Sequence, residues 1–150
     1  MIVMKFGGTS VGSAESVMRV IELVNANQSR SPFVVVSALS GVTDMLLASA
    51  RKALDRSFSA KETAKAVEDR HRNVIENLGL KADIISGEFA ELEQVLFGIS
   101  LVRELTPRTT DYVASFGERM SSKIVAAYAR KAGLNAQAFN AYDLGVITDG

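Results

Sequence analysis

The first apolar run of the chain contains a lysine near its end and is followed by two adjacent glycines. Lys5 lies within the run Ile2–Phe6, and Gly7 and Gly8 follow directly. A cation on a strand, backbone without side chains and a nearby helix N-terminus together can bind phosphate oxygens. The lysine precedes the glycines, so the pattern differs from the Walker P-loop and from the GxGxxG dinucleotide fingerprint. Considered as residues alone, an ordinary strand-to-helix turn is an equal alternative.

Strands and helices alternate around this turn and would position it. Residues 2–6 and 33–37 are short apolar runs that predict strands buried on both faces of a parallel sheet. Ser13 is the predicted N-cap of the first helix, whose apolar residues recur at helical spacing. Further strands are predicted at residues 135–139 and at the closing residues 145–150.

Helices are predicted for most of the chain between the second and third strands. Thr43 or Ser40 is the expected cap of the first of them. Ser59 and Glu62 form a predicted capping box at the start of the next, which ends at Gly79.

Two more helical regions follow in the same part of the chain. One helix is predicted from about Glu88, and Thr106–Pro107 predicts an N-cap with a first-turn proline. The helix that begins there is expected to break around Gly117 and to continue as a longer helix over residues 118–132.

This order of elements predicts the fold class α/β. We expect three α/β/α layers around a mostly parallel, incomplete sheet, with a helical lobe between the second and third strands. Ligands of such sheets bind at the carboxyl ends of the strands. The turn at Gly7–Gly8, the segment 37–41 and Gly117 are predicted to lie at that edge.

Composition excludes several functional classes. Seventeen basic residues balance seventeen acidic residues in the 150-residue chain, so no net charge favours nucleic acid or an anionic membrane. The chain has no cysteine, which excludes disulfides and thiolate metal sites. No apolar run approaches the roughly 20 residues of a membrane span, and the first residues lack the pattern of a signal peptide. We therefore expect a cytoplasmic protein.

Four motifs together indicate a family. "KFGGTSVG" at residues 5–12 closely resembles the N-terminal signature of the aspartate kinases, members of the amino acid kinase family. The resemblance continues with "VVVSALSGVTD" at 34–44, "SFGERMSS" at 115–122 and "YDLGVITDG" at 142–150. Acetylglutamate and glutamate kinases of the same family share the lysine and a glycine-rich turn, but they do not usually carry this combination.

The resemblance implies transfer of the ATP γ-phosphoryl group to the β-carboxylate of L-aspartate. In the family, the first-strand lysine neutralises charge on the transferring group, which implies a catalytic role for Lys5. The resemblance implies that Lys5, Phe6, Gly7 and Gly8 contact the ATP phosphates. It also implies Mg²⁺ that arrives with the nucleotide.

Three residues match the family's aspartate site. Ser37 and Thr43 fall on its aspartate-side loop, where hydroxyls can donate hydrogen bonds to a carboxylate. Glu118 matches the glutamate that meets the substrate ammonium group. Considered as residues alone, the two hydroxyls could instead cap a turn or a helix, and Glu118 could be a helix-dipole partner.

Other ionisable residues favour structural roles. His71 is the single histidine and lies in an apolar helical stripe, so we expect a packed side chain rather than a catalytic base. The surrounding "DRHR" at 69–72 is interpreted as a solvated turn of helix. Asp143 and Asp149 have no second acidic ligand at useful spacing, so no metal site is predicted.

The expected domain is residues 1–150 as the N-terminal part of an amino acid kinase catalytic domain. The motif that carries the family's substrate-binding arginine and catalytic aspartate, the nucleotide-binding half and the regulatory domains are absent from this sequence. We therefore expect the isolated chain to be inactive and, through an exposed sheet edge, to form a homo-oligomer. A non-catalytic module that acts in subunit assembly remains the alternative, as does another amino acid kinase activity.

Overall fold

The structure is a computed structural model that describes residues 1–55 and 59–146. These residues form two strands, five α-helices and three short 3₁₀ helices, which are joined by loops. The strands are β1 (Ile2–Phe6) and β2 (Pro32–Val36), and the helices are α1 (Ala14–Ala26), α2 (Val42–Lys52), α3 (Ala60–Asn77), α4 (Ser86–Val102) and α5 (Pro107–Lys131). The α/β class is confirmed.

The two strands form a parallel pair in which α1 provides the crossover. Ile2 lies opposite Pro32 and Phe6 lies opposite Val36, so the carboxyl ends of β1 and β2 are level. The N–H of Ser37 donates to the carbonyl of Phe6 at 3.1 Å, which extends the pairing past the ends of the strands. The residues that follow each strand therefore begin side by side.

Helices cover one face of this sheet in the part of the chain that is described. Met4, Phe6, Val34 and Val36 face the helices and pack against the core. The opposite face exposes Lys5 and three apolar side chains. Those are Val3 at 63%, Phe33 at 47% and Val35 at 38%. The prediction that both faces of these strands are buried is wrong for the described residues, which contain no helix on the second face.

Most helix starts follow their local sequence. Ser13 accepts a hydrogen bond from the N–H of Ser16 at 3.2 Å, and Ser59 caps α3 in the same way. Thr106 caps α5, with Pro107 at its first position. These three predictions are confirmed. The cap predicted for α2 is wrong, because Gly41 precedes that helix with a φ of 81° and no side chain provides a cap.

Helix α5 is continuous through the glycine that was predicted to break it. It extends over Pro107–Lys131, and Gly117 is buried in its middle. A Cβ atom on Gly117 would lie 2.6 Å from the Cβ of Ala38. Glycine is therefore needed here for a close contact with the segment after β2, and the helical backbone tolerates it because α5 is held on both sides by packing.

The third strand, predicted at residues 135–139, does not form in the structure. Residues 134–140 alternate between half-buried and exposed side chains, as an extended chain would, but they pair with no strand. The carbonyl of Ala136 instead accepts a hydrogen bond from Nη1 of Arg130 at 3.0 Å. No described strand pairs with the backbone of this segment, so no ladder of hydrogen bonds makes it a strand.

The closing strand predicted at 145–150 lies partly outside the described residues. Gly145 and Val146 follow a short 3₁₀ turn and are not in a strand, and residues 147–150 are not described. Within the described ranges, none of the helices combines the length and the apolar character needed to cross a bilayer.

Candidate functional site

Two loop segments lie together at the carboxyl ends of the strands. We name residues 7–13, between β1 and α1, the first strand-end segment. Residues 37–41, between β2 and α2, are the second strand-end segment. The first begins with a tight turn in which the N–H of Ser10 donates to the carbonyl of Gly7 at 2.9 Å. The N-terminus of α1 follows it at once.

Glycines allow the two segments to touch through their backbones. A Cβ atom on Gly8 would lie 2.9 Å from the carbonyl oxygen of Ala38. A Cβ atom on Gly12 would lie 3.1 Å from the Cβ of Ser40. A larger residue at either glycine would push the segments apart. The predicted phosphate-side turn and the predicted aspartate-side loop are thus one continuous surface.

Helix α5 holds the second strand-end segment from the other side. Oε1 of Glu118 accepts a hydrogen bond from the N–H of Ala38 at 3.3 Å. The hydroxyl of Ser121 donates to the carbonyl of Ser37 at 2.7 Å. Gly117 lies between these contacts and admits Ala38. Three residues of the "SFGERMSS" motif therefore position the segment that carries Ser37.

The predicted residues differ in how open they are. Lys5 is exposed on the uncovered face of the sheet, whereas the side chain of Phe6 faces the core, so Phe6 can offer only its backbone to a ligand. Thr43 is exposed in the first turn of α2. Ser37 is half-buried. Glu118 is exposed, and its second carboxylate oxygen accepts no hydrogen bond from the described residues.

The hydroxyl of Thr43 does not cap α2. Because Gly41 precedes α2, Thr43 is not the cap of that helix. None of the hydrogen bonds found in residues 1–55 and 59–146 uses the hydroxyl of Thr43 or of Ser37. The structural alternative considered for Thr43 is therefore removed, and both hydroxyls can bond to a ligand.

The arginine next to Glu118 belongs to a separate network between α4 and α5. Arg119 forms an ion pair with Glu91, whose pKa is lowered by that hydrogen bond, and Tyr112 donates to the same carboxylate. The guanidinium of Arg119 also lies 4.3 Å from the ring centroid of Phe116. Arg119 is thus paired with Glu91, and among the described residues it forms no ion pair with its neighbour Glu118.

Sequence reasoning missed two polar residues that support the site. No sequence prediction concerns Ser121; its spacing from Glu118 and Gly117 places all three on one side of a helix, which is the signal that could have revealed it. Arg70 was interpreted as part of a solvated helix turn. It donates to the carbonyl of Gly12, which no local pattern indicates.

The residues present suit an anionic group at the first strand-end segment. The exposed cation of Lys5, in β1, comes just before a glycine turn that has open space beside Gly7 and that leads to the capped N-terminus of α1. Among the described residues, no three His, Cys, Asp or Glu side chains are grouped to hold a metal ion.

Known proteins resemble this chain over most of its length. The profile of the amino acid kinase family matches residues 1–148. Aspartokinase 1 of Arabidopsis thaliana is 38% identical over 149 residues, which cover 97% of this chain and 26% of the relative. The aspartokinase of Chlamydia trachomatis is 35% identical over 127 residues, which cover 85% of this chain and 27% of the relative.

A solved aspartokinase structure also resembles this chain. E. coli aspartokinase III, crystallised with aspartate and ADP in its R-state, superimposes with a TM-score of 0.68 and 26% sequence identity. The match covers 91% of this chain and 30% of that one.

The fold is that of an α/β protein whose two parallel strands end at the same edge of the sheet. The chain belongs to the amino acid kinase family. It spans about a quarter of the length of the curated relatives that it matches.

Proposed function

We propose that this chain provides the aspartate-binding residues and the terminal-phosphate contacts of an aspartate kinase. The reaction would transfer the γ-phosphoryl group of ATP to the β-carboxylate of L-aspartate, with aspartyl phosphate and ADP as products. The observation that carries the proposal is the contact of Glu118 with Ala38, which brings an exposed carboxylate against the second strand-end segment. The similarity to aspartokinases supports the choice of substrate.

Each residue at the site has a role in this proposal. Glu118 would pair with the substrate ammonium group, and the hydroxyls of Ser37 and Thr43 would donate to a substrate carboxylate. The ammonium of Lys5 would stabilise charge on the transferring phosphoryl group. Hydroxyl donors suit the acceptor because they orient its carboxylate without adding a charge.

Phosphate contacts would come from the first strand-end segment. The backbone of Phe6, Gly7 and Gly8 would approach the phosphates of ATP, and the N-terminus of α1 favours negative charge in the same place. Mg²⁺ bound to the nucleotide would reduce the charge repulsion between ATP and the acceptor carboxylate. The contribution of this chain is to bind and orient both anions.

A binding experiment tests the aspartate site directly. The isotope-labelled 150-residue chain is titrated with L-aspartate, and backbone amide shifts are followed by NMR. We expect saturable shifts in residues 37–43 and 117–119. Succinate, which lacks the ammonium group, should bind more weakly. Equal shifts with succinate would overturn the role of Glu118, and no shifts at either segment would overturn the site.

A matched pair of variants controls this titration. Glu118→Gln removes the charge at the site, and Glu22→Gln removes an exposed carboxylate on the outer side of α1. The first should weaken aspartate binding and the second should not. Equal losses would mean that the response reports net charge rather than a site.

Turnover is measured separately, by trapping acyl phosphate with hydroxylamine in the presence of aspartate, ATP and Mg²⁺. Phosphoryl transfer depends on holding donor and acceptor in line. Because the chain matches about a quarter of each relative, we expect the isolated 150 residues to bind aspartate without appreciable turnover. Product well above a control without protein would contradict this expectation.

A further inference from the structure

Arg70 joins the two strand-end segments from a third element. Its Nη2 donates to the carbonyl of Gly12 at 2.7 Å and lies 3.4 Å from the carbonyl of Ser40. Gly12 belongs to the first segment and Ser40 to the second. One guanidinium nitrogen carries two hydrogens, so it can donate to both carbonyls at once.

The two segments have little else that bonds them to each other. Among the backbone hydrogen bonds of the described ranges, none joins residues 7–13 to residues 37–41; the one from the N–H of Ser37 goes to the carbonyl of Phe6, at the very end of β1. Beyond it, the glycine contacts set only how closely Gly8 and Gly12 can approach the second segment. Such contacts resist compression, but they do not prevent the segments from separating. Arg70 supplies the attraction that keeps them together.

The direction of Arg70 is fixed by its neighbour in α3. His71 is fully buried, and its Nδ1 lies 2.7 Å from the carbonyl of Val67. Burial of Val67 and Val74 on the same side leaves the helix no freedom to rotate about its axis. Arg70 is therefore held at the margin of the buried stripe, where it can reach the strand ends.

Two other cations, Arg72 and Lys131, differ from Arg70 in the groups that they bind. Arg72, two residues further along α3, forms an exposed ion pair with Glu68 of the same helix. Lys131 also donates to two carbonyls, but those belong to the consecutive residues Leu78 and Gly79. Arg70 differs because its two acceptors lie on separate segments that carry different parts of the site.

We propose that Arg70 is a positioning residue that sets the separation of the phosphate-binding segment from the aspartate-binding segment. The inference rests on the proposed function for the meaning of the two segments. Its consequence is that α3, which contributes no group to the reaction, controls how well acceptor and donor are aligned.

Hydrogen exchange of the 150-residue chain tests the structural half of this inference without any ligand. Arg70→Met keeps much of the side-chain length and removes the donors. We expect amides in residues 8–13 and 37–41 to exchange about tenfold faster, the size expected for losing one charge-assisted bond. Amides of α4 should be unchanged. Faster exchange throughout the chain would mean general destabilisation and would overturn the proposal.

Aspartate titration of the same variants tests the functional half. Arg70→Met should weaken aspartate binding by about fivefold to tenfold, since the second segment is less well placed. Arg70→Lys keeps a cation with donors and should recover part of both effects. Arg72→Met is the matched control and should resemble the wild type. Arg70→Met and Arg72→Met behaving alike would overturn the inference.

The two proposals fail in different ways. If the wild-type chain binds no aspartate while Arg70→Met still loosens residues 8–13 and 37–41 selectively, the proposed function fails and the positioning role stands. If aspartate binds and Arg70→Met leaves both readouts unchanged, the proposed function stands and the positioning role fails. Should Arg70→Met not fold, the folded Arg70→Lys variant decides through its selective exchange.

Discussion

The strand-end site and the lobe formed by α3 and α4 are built from different kinds of contact. At the strand ends, glycines bring backbones together, and two hydrogen bonds set the position of a loop: Glu118 accepts one from Ala38, and Ser121 donates one to Ser37. In the lobe, large side chains are buried against each other. These include Val67, Val74, Ile75, Leu92 and Leu96.

Polar groups are also treated differently in the two regions. The predicted ligand-binding side chains at the site are exposed or half-buried and keep bonding capacity, whereas Ser121, which positions the loop, is buried. In the lobe, His71 is fully buried against Phe89, with ring centroids 5.9 Å apart, and its Nε2 has no partner among the described residues. The position of the site therefore depends on a few specific contacts, whereas the stability of the lobe depends on the exclusion of water from its core. Arg70 connects the two regions.

The largest effect is expected from Lys5. In a longer protein that contains this chain and turns over aspartate, Lys5→Met should lower kcat by roughly a hundredfold to a thousandfold, as loss of one electrostatic stabiliser typically does. The exposed position of Lys5 predicts an unchanged melting temperature. A folded Lys5→Met protein with near-normal turnover would remove the catalytic role and place the site's chemistry elsewhere.

The lobe is expected to respond to acid through His71. Burial lowers the pKa of His71 to about 4 from 6.5. The unfolded chain therefore takes up the proton first, and stability falls as the pH is lowered from about 6.5 to about 4. The full loss is about 3 kcal/mol, since one pKa unit corresponds to about 1.4 kcal/mol.

Urea unfolding at pH 7, 5.5 and 4.5 measures this loss. Carboxyl groups titrate in the lower part of the same range, so the comparison is between wild type and His71→Leu, which lacks the histidine. The variant should lose less stability than the wild type over this interval. Parallel pH profiles for the two proteins would show that His71 does not titrate as its burial requires.

A smaller effect is expected for Glu118, the carboxylate proposed to pair with the substrate ammonium group. Glu118→Gln keeps the shape and the acceptor for the N–H of Ala38 but removes the charge. Aspartate binding should weaken by about 1.5 kcal/mol, the low end for a charge-assisted bond, because the group is exposed. Calorimetry should show ATP affinity little changed. Equal weakening toward both ligands would indicate a displaced α5 rather than a lost ion pair.

The last effects, of opposite sign, are expected from one substitution made in both regions. Gly117→Ala places a Cβ atom 2.6 Å from the Cβ of Ala38, whereas Gly98→Ala in α4 meets nothing within 4 Å. The first should destabilise by about 1–2 kcal/mol after the gain in helix propensity. The second should stabilise by up to about 1 kcal/mol. Thermal unfolding compares them, and a shared sign would contradict the distinction between the regions.

Local chemistry in the sequence determined most of the elements. Ser13, Ser59 and Thr106 cap their helices as predicted, because a cap bonds to an N–H only three residues further on. The parallel strands also followed from their short apolar runs. Of the candidate site, the sequence motifs selected Lys5 and Glu118, whose chemistry suits the proposed reaction.

Only the tertiary structure decided how these pieces meet. Gly117 stays helical because Ala38 packs on it, and the cap of α2 is Gly41 rather than a hydroxyl. The residues at 135–139 form no strand because no neighbour pairs with them. Arg70 bonds to carbonyls far away in sequence. Such contacts depend on where distant segments lie in space, and neither periodicity nor capping patterns carry that information.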